Sequence, residues 1–111
     1  MKLVNLNQIP EQTVSHNPEI KKKALLSYGD LPHLTNFSQA VFAPGQVASN
    51  HCHQDMYEVF FVLSGSATIA IDGKDISLTP GSCIAVEPGE YHQITNTGET
   101  ELVLSYFGIQ Q

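Results

Sequence analysis

Apolar and polar residues alternate along most of this chain in short runs, a pattern typical of β-strands that bury one face. The runs YEVFFVL, ATIAI and ELVLSYF are rich in branched and aromatic residues, and glycine, proline or asparagine separates them. The pattern predicts strands at residues 3–6, 21–28, 36–43, 57–64, 66–72, 74–79, 82–86, 91–96 and 101–108. So many short strands predict an all-β domain, built as a sandwich or a barrel.

Two segments need a separate decision. Asp72 and Gly73 stand between the runs TIAI and KDISL, and an Asp-Gly pair in that place predicts a two-residue hairpin with positive φ at both central residues. The stretch 17–26 also admits a helix, because Pro18 suits a first helical turn. We expect a strand over its second half.

Composition and charge narrow the class of protein. The chain has 111 residues, the length of one domain, and a net charge of −6. It contains five lysines and no arginine, so it lacks both the basic surface that nucleic acids require and the bidentate clamps for phosphate or carboxylate. We therefore expect no nucleic-acid partner.

Location is inferred from what the chain lacks. No apolar run reaches the length of a signal peptide or a membrane span, so we expect no membrane partner. The two cysteines, Cys52 and Cys83, do not make a disulfide framework. A cytoplasmic location is the expectation.

One stretch carries most of the candidate chemistry. His51 and His53 are two residues apart, so on a strand they share a face, and Glu58 follows five residues later. A further histidine, His92, comes after a proline-glycine turn. Three imidazoles and one carboxylate form a natural ligand set for a transition metal. Strand alternation turns Cys52 away from that face.

The neighbours of the candidate ligands predict the pocket. Counting by two from Glu58 gives Phe60 and Val62, and counting from His92 gives Ile94. We expect these three apolar side chains to line the pocket. No second carboxylate, lysine or histidine falls on that face, so Glu58 is the one internal base that the sequence offers for catalysis.

Two further histidines and a second apolar row complete the predictions from the residues. His16 and His33 match no motif, and we expect them at the surface. The row Val59, Phe61 and Leu63 is apolar although the opposite face of the same strand already faces inward. Such a row must be covered by residues 1–40 or by another subunit. A homodimer is the expectation.

The spacing of these residues resembles the cupin family. The first cupin motif, G-x5-H-x-H-x4-E-x6-G, is matched at every fixed position, by Gly45, His51, His53, Glu58 and Gly65. The second motif, G-x5-P-x-G-x2-H-x3-N, is matched by Gly81, Gly89, His92 and Asn96. The proline departs from the pattern, because Glu87 takes its place and Pro88 comes one residue later.

The resemblance implies a small jelly-roll β-barrel with His51, His53, Glu58 and His92 converging on one metal ion. It implies a single cupin domain over residues 1–111, in which 1–40 form strands or an arm packed on the barrel or on a partner subunit, and 41–108 form the barrel with both motifs. Iron, manganese, nickel, zinc, cobalt and copper all suit such a ligand set, so the divalent metal is not identified.

The resemblance also implies a range of functions. Cupins with this ligand set include dioxygenases, so the first expectation is a metal-dependent dioxygenase that acts on a small chelating or aromatic substrate. A metal-dependent isomerase or decarboxylase is an alternative, although a sugar phosphate is disfavoured without arginine. The other alternative is a non-catalytic module that binds a small molecule or a metal. Each of these has a small-molecule ligand as its partner.

Overall fold

Ten β-strands make up nearly all of the regular structure in the computed structural model, which describes all 111 residues. The strands are β1 Gln12–Val14, β2 Asn17–Leu26, β3 Leu34–Phe42, β4 Val47–His51, β5 Met56–Ser64, β6 Ala67–Ile71, β7 Lys74–Leu78, β8 Cys83–Val86, β9 His92–Thr95 and β10 Leu102–Gln110. A single 3₁₀ turn covers Leu6–Gln8. No helix in the structure has the length and apolarity that a membrane crossing requires.

The strands form two antiparallel sheets that face each other. The larger sheet has six strands in the order β1-β2-β3-β10-β5-β8, and the smaller has four in the order β4-β9-β6-β7. Inward side chains of both sheets form one core, because apolar side chains leave water when the two inner faces pack together. The fully buried members include Ile20, Ile69, Leu102 and Leu104. This is the jelly-roll architecture that the resemblance to cupins implies.

Most of the predicted strands are confirmed, with exceptions near the N-terminus. Residues 3–6 form no strand, because the chain turns there into the 3₁₀ segment. The stretch 17–26 is a strand along its whole length, since its backbone pairs with both β1 and β3. The short strands β1 and β4 were not predicted. Residues 1–40 supply β1, β2 and most of β3 to the larger sheet.

Two turns show why particular residues occupy them. The hairpin between β6 and β7 has φ of 48° at Asp72 and 81° at Gly73, which confirms the predicted turn. The second turn lies where the chain departs from the second motif, with Glu87 in place of the motif proline. Pro88 and Gly89 are the central residues of this turn, which is closed by a hydrogen bond from the Glu90 amide to the Glu87 carbonyl. Proline followed by a glycine with positive φ suits a type II turn, so the shifted proline still supports a tight turn before His92.

Backbone and side-chain hydrogen bonds join the two motifs. The Gly45 amide donates to the Asn96 carbonyl (2.9 Å), and the Asn96 amide donates to the Gln46 carbonyl (3.0 Å). The buried Asn96 side chain donates to the carbonyls of Phe42 and Thr100, at 3.0 and 2.9 Å. An amide side chain can satisfy several buried backbone groups at once, which explains an asparagine at the end of the second motif.

Candidate metal centre

The four predicted ligands come from three strands and one connecting segment. His51 is the last residue of β4, and its register partner His92 is the first residue of β9. Glu58 lies near the start of β5 and its side chain faces inward. His53 lies beyond the end of β4, in the segment that bends back at Gln54–Asp55. The premise that His51 and His53 share one strand is therefore wrong, although both rings reach the same place.

One oxygen of Glu58 is the centre of the cluster. Its Oε1 lies 3.0 Å from Nε2 of His92, 3.1 Å from Nε2 of His53 and 4.0 Å from Nε2 of His51. The four donor atoms all lie within 4.8 Å of one another. The structure therefore brings all four predicted residues together.

Backbone contacts orient the rings. Nδ1 of His51 is 2.7 Å from the Ser49 carbonyl, and Nδ1 of His92 is 3.1 Å from the Glu90 carbonyl. Because a carbonyl accepts the Nδ1 proton, the Nε2 atom of each ring is left to face the centre of the cluster. The His53 segment is held by its own carbonyl, which accepts from the Gly89 amide (2.7 Å).

The protonation of the cluster follows from burial and mutual contact. Burial raises the pKa of Glu58, but the hydrogen bond with His92 and the nearby His53 outweigh burial and hold that pKa below its usual value. Burial lowers the pKa of His92, but its bonds with Glu58 and the Glu90 carbonyl outweigh burial and raise it. Burial lowers the pKa of His51. At neutral pH the cluster therefore holds an ionised carboxylate beside at least one neutral imidazole.

These residues fit a single metal ion. Two donors that each lie about 2.1 Å from one ion are about 3.0 Å apart when they subtend a right angle. The shortest separations in the cluster, 3.0 and 3.1 Å, have that value. Imidazole nitrogen with carboxylate oxygen is a ligand set for divalent transition metals, and nothing in it selects one of them.

Cys52 is not one of the four donors, and its thiol accepts a hydrogen bond from the Gln54 amide.

A cavity of about 180 Å³ opens beside the cluster, between the two sheets. Its wall includes His51, His53 and Glu58, while the buried His92 lies behind them. The other lining residues are Val14, Ser15, His16, Lys22, Asn36, Ala40, Phe42, Ala48, Met56, Phe60, Ile94, Leu104 and Tyr106. Phe60 and Ile94 thus line the cavity as expected. Val62 does not, because it lies deeper in the packed core, where it is 1% exposed.

His16 lies at the mouth of the cavity. Its ring stacks on the ring of His51, with centroids 3.7 Å apart and an interplanar angle of 19°. The Ser49 hydroxyl donates to the His16 carbonyl (3.1 Å) and ties the turn after β1 to β4. His16 is exposed, as predicted, but it belongs to the site. His33 is exposed and distant, with Nδ1 3.0 Å from the Gln110 carbonyl.

Several polar side chains in the cavity wall were missed, among them His16, Lys22 and Tyr106. Strand alternation predicted no second carboxylate, no lysine and no histidine in the pocket beyond the candidate ligands, and Lys22 and His16 show that the prediction was wrong for lysine and histidine. Tyr106 also lines the cavity and stacks on Phe60, with centroids 5.7 Å apart. Burial and the nearby Glu58 raise the pKa of the Tyr106 phenol against the influence of Ser38, so it is a neutral hydrogen-bond donor at physiological pH.

The fold and the centre agree with a comparison to known families. Residues 38–107 match the family described as the cupin domain, which is more than half of the chain. The protein therefore belongs to the cupin family.

Particular relatives show the range within that family. The oxalate-binding protein of Thermotoga maritima is 32% identical over 66 residues, which is 60% of this chain and 54% of that protein. The tetracenomycin polyketide synthase protein TcmJ of Streptomyces glaucescens is 25% identical over 76% of this chain and 57% of that protein. This chain thus aligns with little more than half the length of either.

Among solved structures, a predicted oxalate decarboxylase of Thermotoga maritima is similar over 99% of this chain and 100% of that one. The TM-score is 0.91 and the sequence identity is 24%. This likeness supports the jelly-roll assignment.

Proposed function

We propose that this cupin binds a small chelating organic acid on a divalent transition metal held by His51, His53, Glu58 and His92. The observation that carries the proposal is the cavity, because three of these four residues form part of its wall. A ligand in the cavity therefore has direct access to a metal at the cluster. A divalent ion held by these residues would supply Lewis acidity to two chelating oxygens of the ligand.

The size and lining of the cavity define the ligand. Pockets for drug-sized molecules enclose about 300–1,000 Å³. A volume of about 180 Å³ restricts the occupant to a few carbon atoms or a single ring. The walls at Phe60, Ile94 and Leu104 exclude water, while Asn36 and Tyr106 offer neutral polar groups. The oxalate-binding relative supports an acid as the ligand.

Oxygen-dependent cleavage of the bound ligand is the second candidate function. The apolar wall favours it, because a dry site protects reactive intermediates from water. Glu58 acts in both candidates as a ligand, since the same oxygen faces all three imidazoles. If the substrate loses a proton, Glu58 is also the one carboxylate in the cavity wall that can accept it.

One set of measurements separates the functions. Protein loaded with Fe(II) or Mn(II) is titrated with oxalate, acetylacetone and catechol, and binding heat, oxygen uptake and carbon dioxide release are recorded. We expect metal-dependent binding of oxalate. Oxygen uptake with incorporation of both oxygen atoms into the product of acetylacetone or catechol identifies a dioxygenase, and carbon dioxide release from oxalate without net oxygen uptake identifies a decarboxylase. Binding without turnover identifies a binding module, and no binding to any metal-loaded form contradicts the proposal.

We also propose that the protein is a homodimer that pairs the outer faces of its larger sheets. Phe61 and Leu63 on that face are 39% and 45% exposed, and the same face carries the apolar pair Val59 and Phe107. Residues 1–40 extend the sheet sideways and leave these two side chains uncovered. An exposed apolar patch of this kind is typical of an interface.

Light scattering at micromolar concentration tests the dimer. We expect a dimer mass for the natural protein and a monomer mass for Phe61→Glu with Leu63→Glu, because two carboxylates would be buried without partners. Ser77→Glu adds a charge at an exposed position of the smaller sheet and should leave the dimer intact. A monomer mass for the natural protein would refute the proposal.

A further inference from the structure

The residues that line the cavity include one lysine, Lys22. In the larger sheet, Lys22 pairs with Ala40, and Ala40 pairs with Leu104. Residues directly opposite each other on neighbouring strands point to the same face. Ala40 and Leu104 are 1% exposed and belong to the core, so the side chain of Lys22 also points inward.

The two neighbouring lysines point the other way. Lys21 is exposed, and it pairs with Val41 on the outer face. Lys23 also lies on the outer face, where its ammonium group donates to the Leu6 carbonyl. Strand alternation thus separates the run of three lysines, and only the middle one enters the cavity.

Lys22 lacks a counter-ion within the chain. Its ammonium group forms no hydrogen bond and no ion pair, whereas Lys2 pairs with Asp30 at 2.6 Å. The one carboxylate in the cavity wall is Glu58, which is already in contact with His53 and His92. Lys22 is half-buried, and an anion in the cavity would give its ammonium group the partner that the chain itself does not supply.

The position of Lys22 relative to the metal cluster follows from the strand register. Three rows of inward residues cross the larger sheet in succession. They are Asn36, Gly108 and Glu58; then Ser38, Tyr106 and Phe60; then Lys22, Ala40, Leu104 and Val62. Successive rows are about 7 Å apart along a strand. The residues of the cavity wall are therefore ordered along the sheet, with Glu58 of the metal cluster in the first row, Tyr106 and Phe60 in the second, and Lys22 in the third, farthest from the cluster.

We propose that Lys22 binds an anionic group of the ligand at the end of the cavity remote from the metal. This inference rests on the proposed function and narrows it, because the ligand then carries two chelating oxygens at one end and a negative group, such as a carboxylate, at the other. Lys22 thereby selects diacids over monoacids of the same length.

A matched pair of ligands and a matched pair of variants test this role. The probes are α-ketoglutarate and α-ketovalerate, which share the chelating end and differ in the remote carboxylate. Calorimetry on the Mn(II)-loaded protein should show that Lys22→Met weakens α-ketoglutarate binding about ten- to a hundredfold, the range of a charge-assisted hydrogen bond. Binding of α-ketovalerate and metal content should not change. Lys22→Arg should retain most of the affinity, and Lys21→Met should bind both probes like the natural protein.

A chemical readout on the natural protein is independent of the variants. Saturating α-ketoglutarate should protect Lys22 from acetylation by acetic anhydride, measured by mass spectrometry, while exposed Lys21 reacts as before. Equal losses for both probes in Lys22→Met, or unprotected Lys22, would overturn the assignment. Binding of α-ketovalerate without α-ketoglutarate would overturn it and leave the proposed function intact. Binding of neither keto acid nor oxalate would end both proposals.

Discussion

Replacing His51 and His53 together with alanine will abolish stoichiometric metal binding and leave the barrel folded. The variant keeps only Glu58 and His92, which then satisfy each other at 3.0 Å. Loss of a residue that merely orients a ligand lowers metal affinity about 10- to 100-fold, so loss of two ligands should exceed 100-fold. The two side chains are 18% and 30% exposed and lie outside the hydrophobic core, so we expect the stability of the metal-free protein to change by less than about 1–2 kcal/mol.

Elemental analysis after loading with each divalent metal in turn measures the loss of metal binding. Urea unfolding of the metal-free proteins measures the change in stability. His33→Asn is the matched control, because it removes an imidazole far from the cluster and asparagine tolerates the positive φ of 69° at that position. Undiminished metal in the double variant would show that the ligands lie elsewhere.

Gly65→Ala will destabilise the protein more than any other glycine substitution in the two motifs. Gly65 has φ of 80°, and a Cβ there would collide with the Glu101 carbonyl oxygen and lie 2.9 Å from Cα of Leu102. Both obstacles are backbone, at the entry to β10, so neither can move without disturbing the centre of the larger sheet. We expect a loss of about 3–5 kcal/mol, from left-handed backbone strain together with a forced shift.

Gly81→Ala separates these two contributions. Gly81 has φ of 90°, but a Cβ there meets nothing within 4 Å. It should therefore cost only the left-handed conformation, about 1–2 kcal/mol. Urea unfolding followed by circular dichroism compares the two variants. Equal losses would mean that the contact with residues 101–102 contributes nothing.

Local patterns in the sequence were sufficient for the parts of the fold that depend on neighbours along the chain. The hairpin at Asp72-Gly73 follows from the φ values that these two residues tolerate. The four candidate ligands were found because their spacing matches a family pattern, although the strand argument for His53 was wrong. Residue type and spacing therefore predicted the candidate ligands more accurately than strand alternation did.

The residues that were missed reach the site through strand register, which the sequence alone does not specify. For three consecutive lysines on a strand, alternation predicts that one or two point inward but does not say which. The pairing of Lys22 with Ala40 of β3 decides this. His16 lies in a turn, where alternation gives no direction, and only the packing of that turn over β4 brings it onto His51. Val62 shows the converse, since it has the inward parity but lies too deep to reach the cavity.

The strand order has a consequence for when a metal can be acquired. Strand β5, which carries Glu58, is held on one side by β8 and on the other by β10, some forty positions further along the chain. A ribosome-bound chain that lacks residues 102–110 cannot complete this sheet, and such non-local pairings form slowly. We therefore expect the four residues to come together only when folding is complete, so that an ion bound by them would enter a barrel that has already formed.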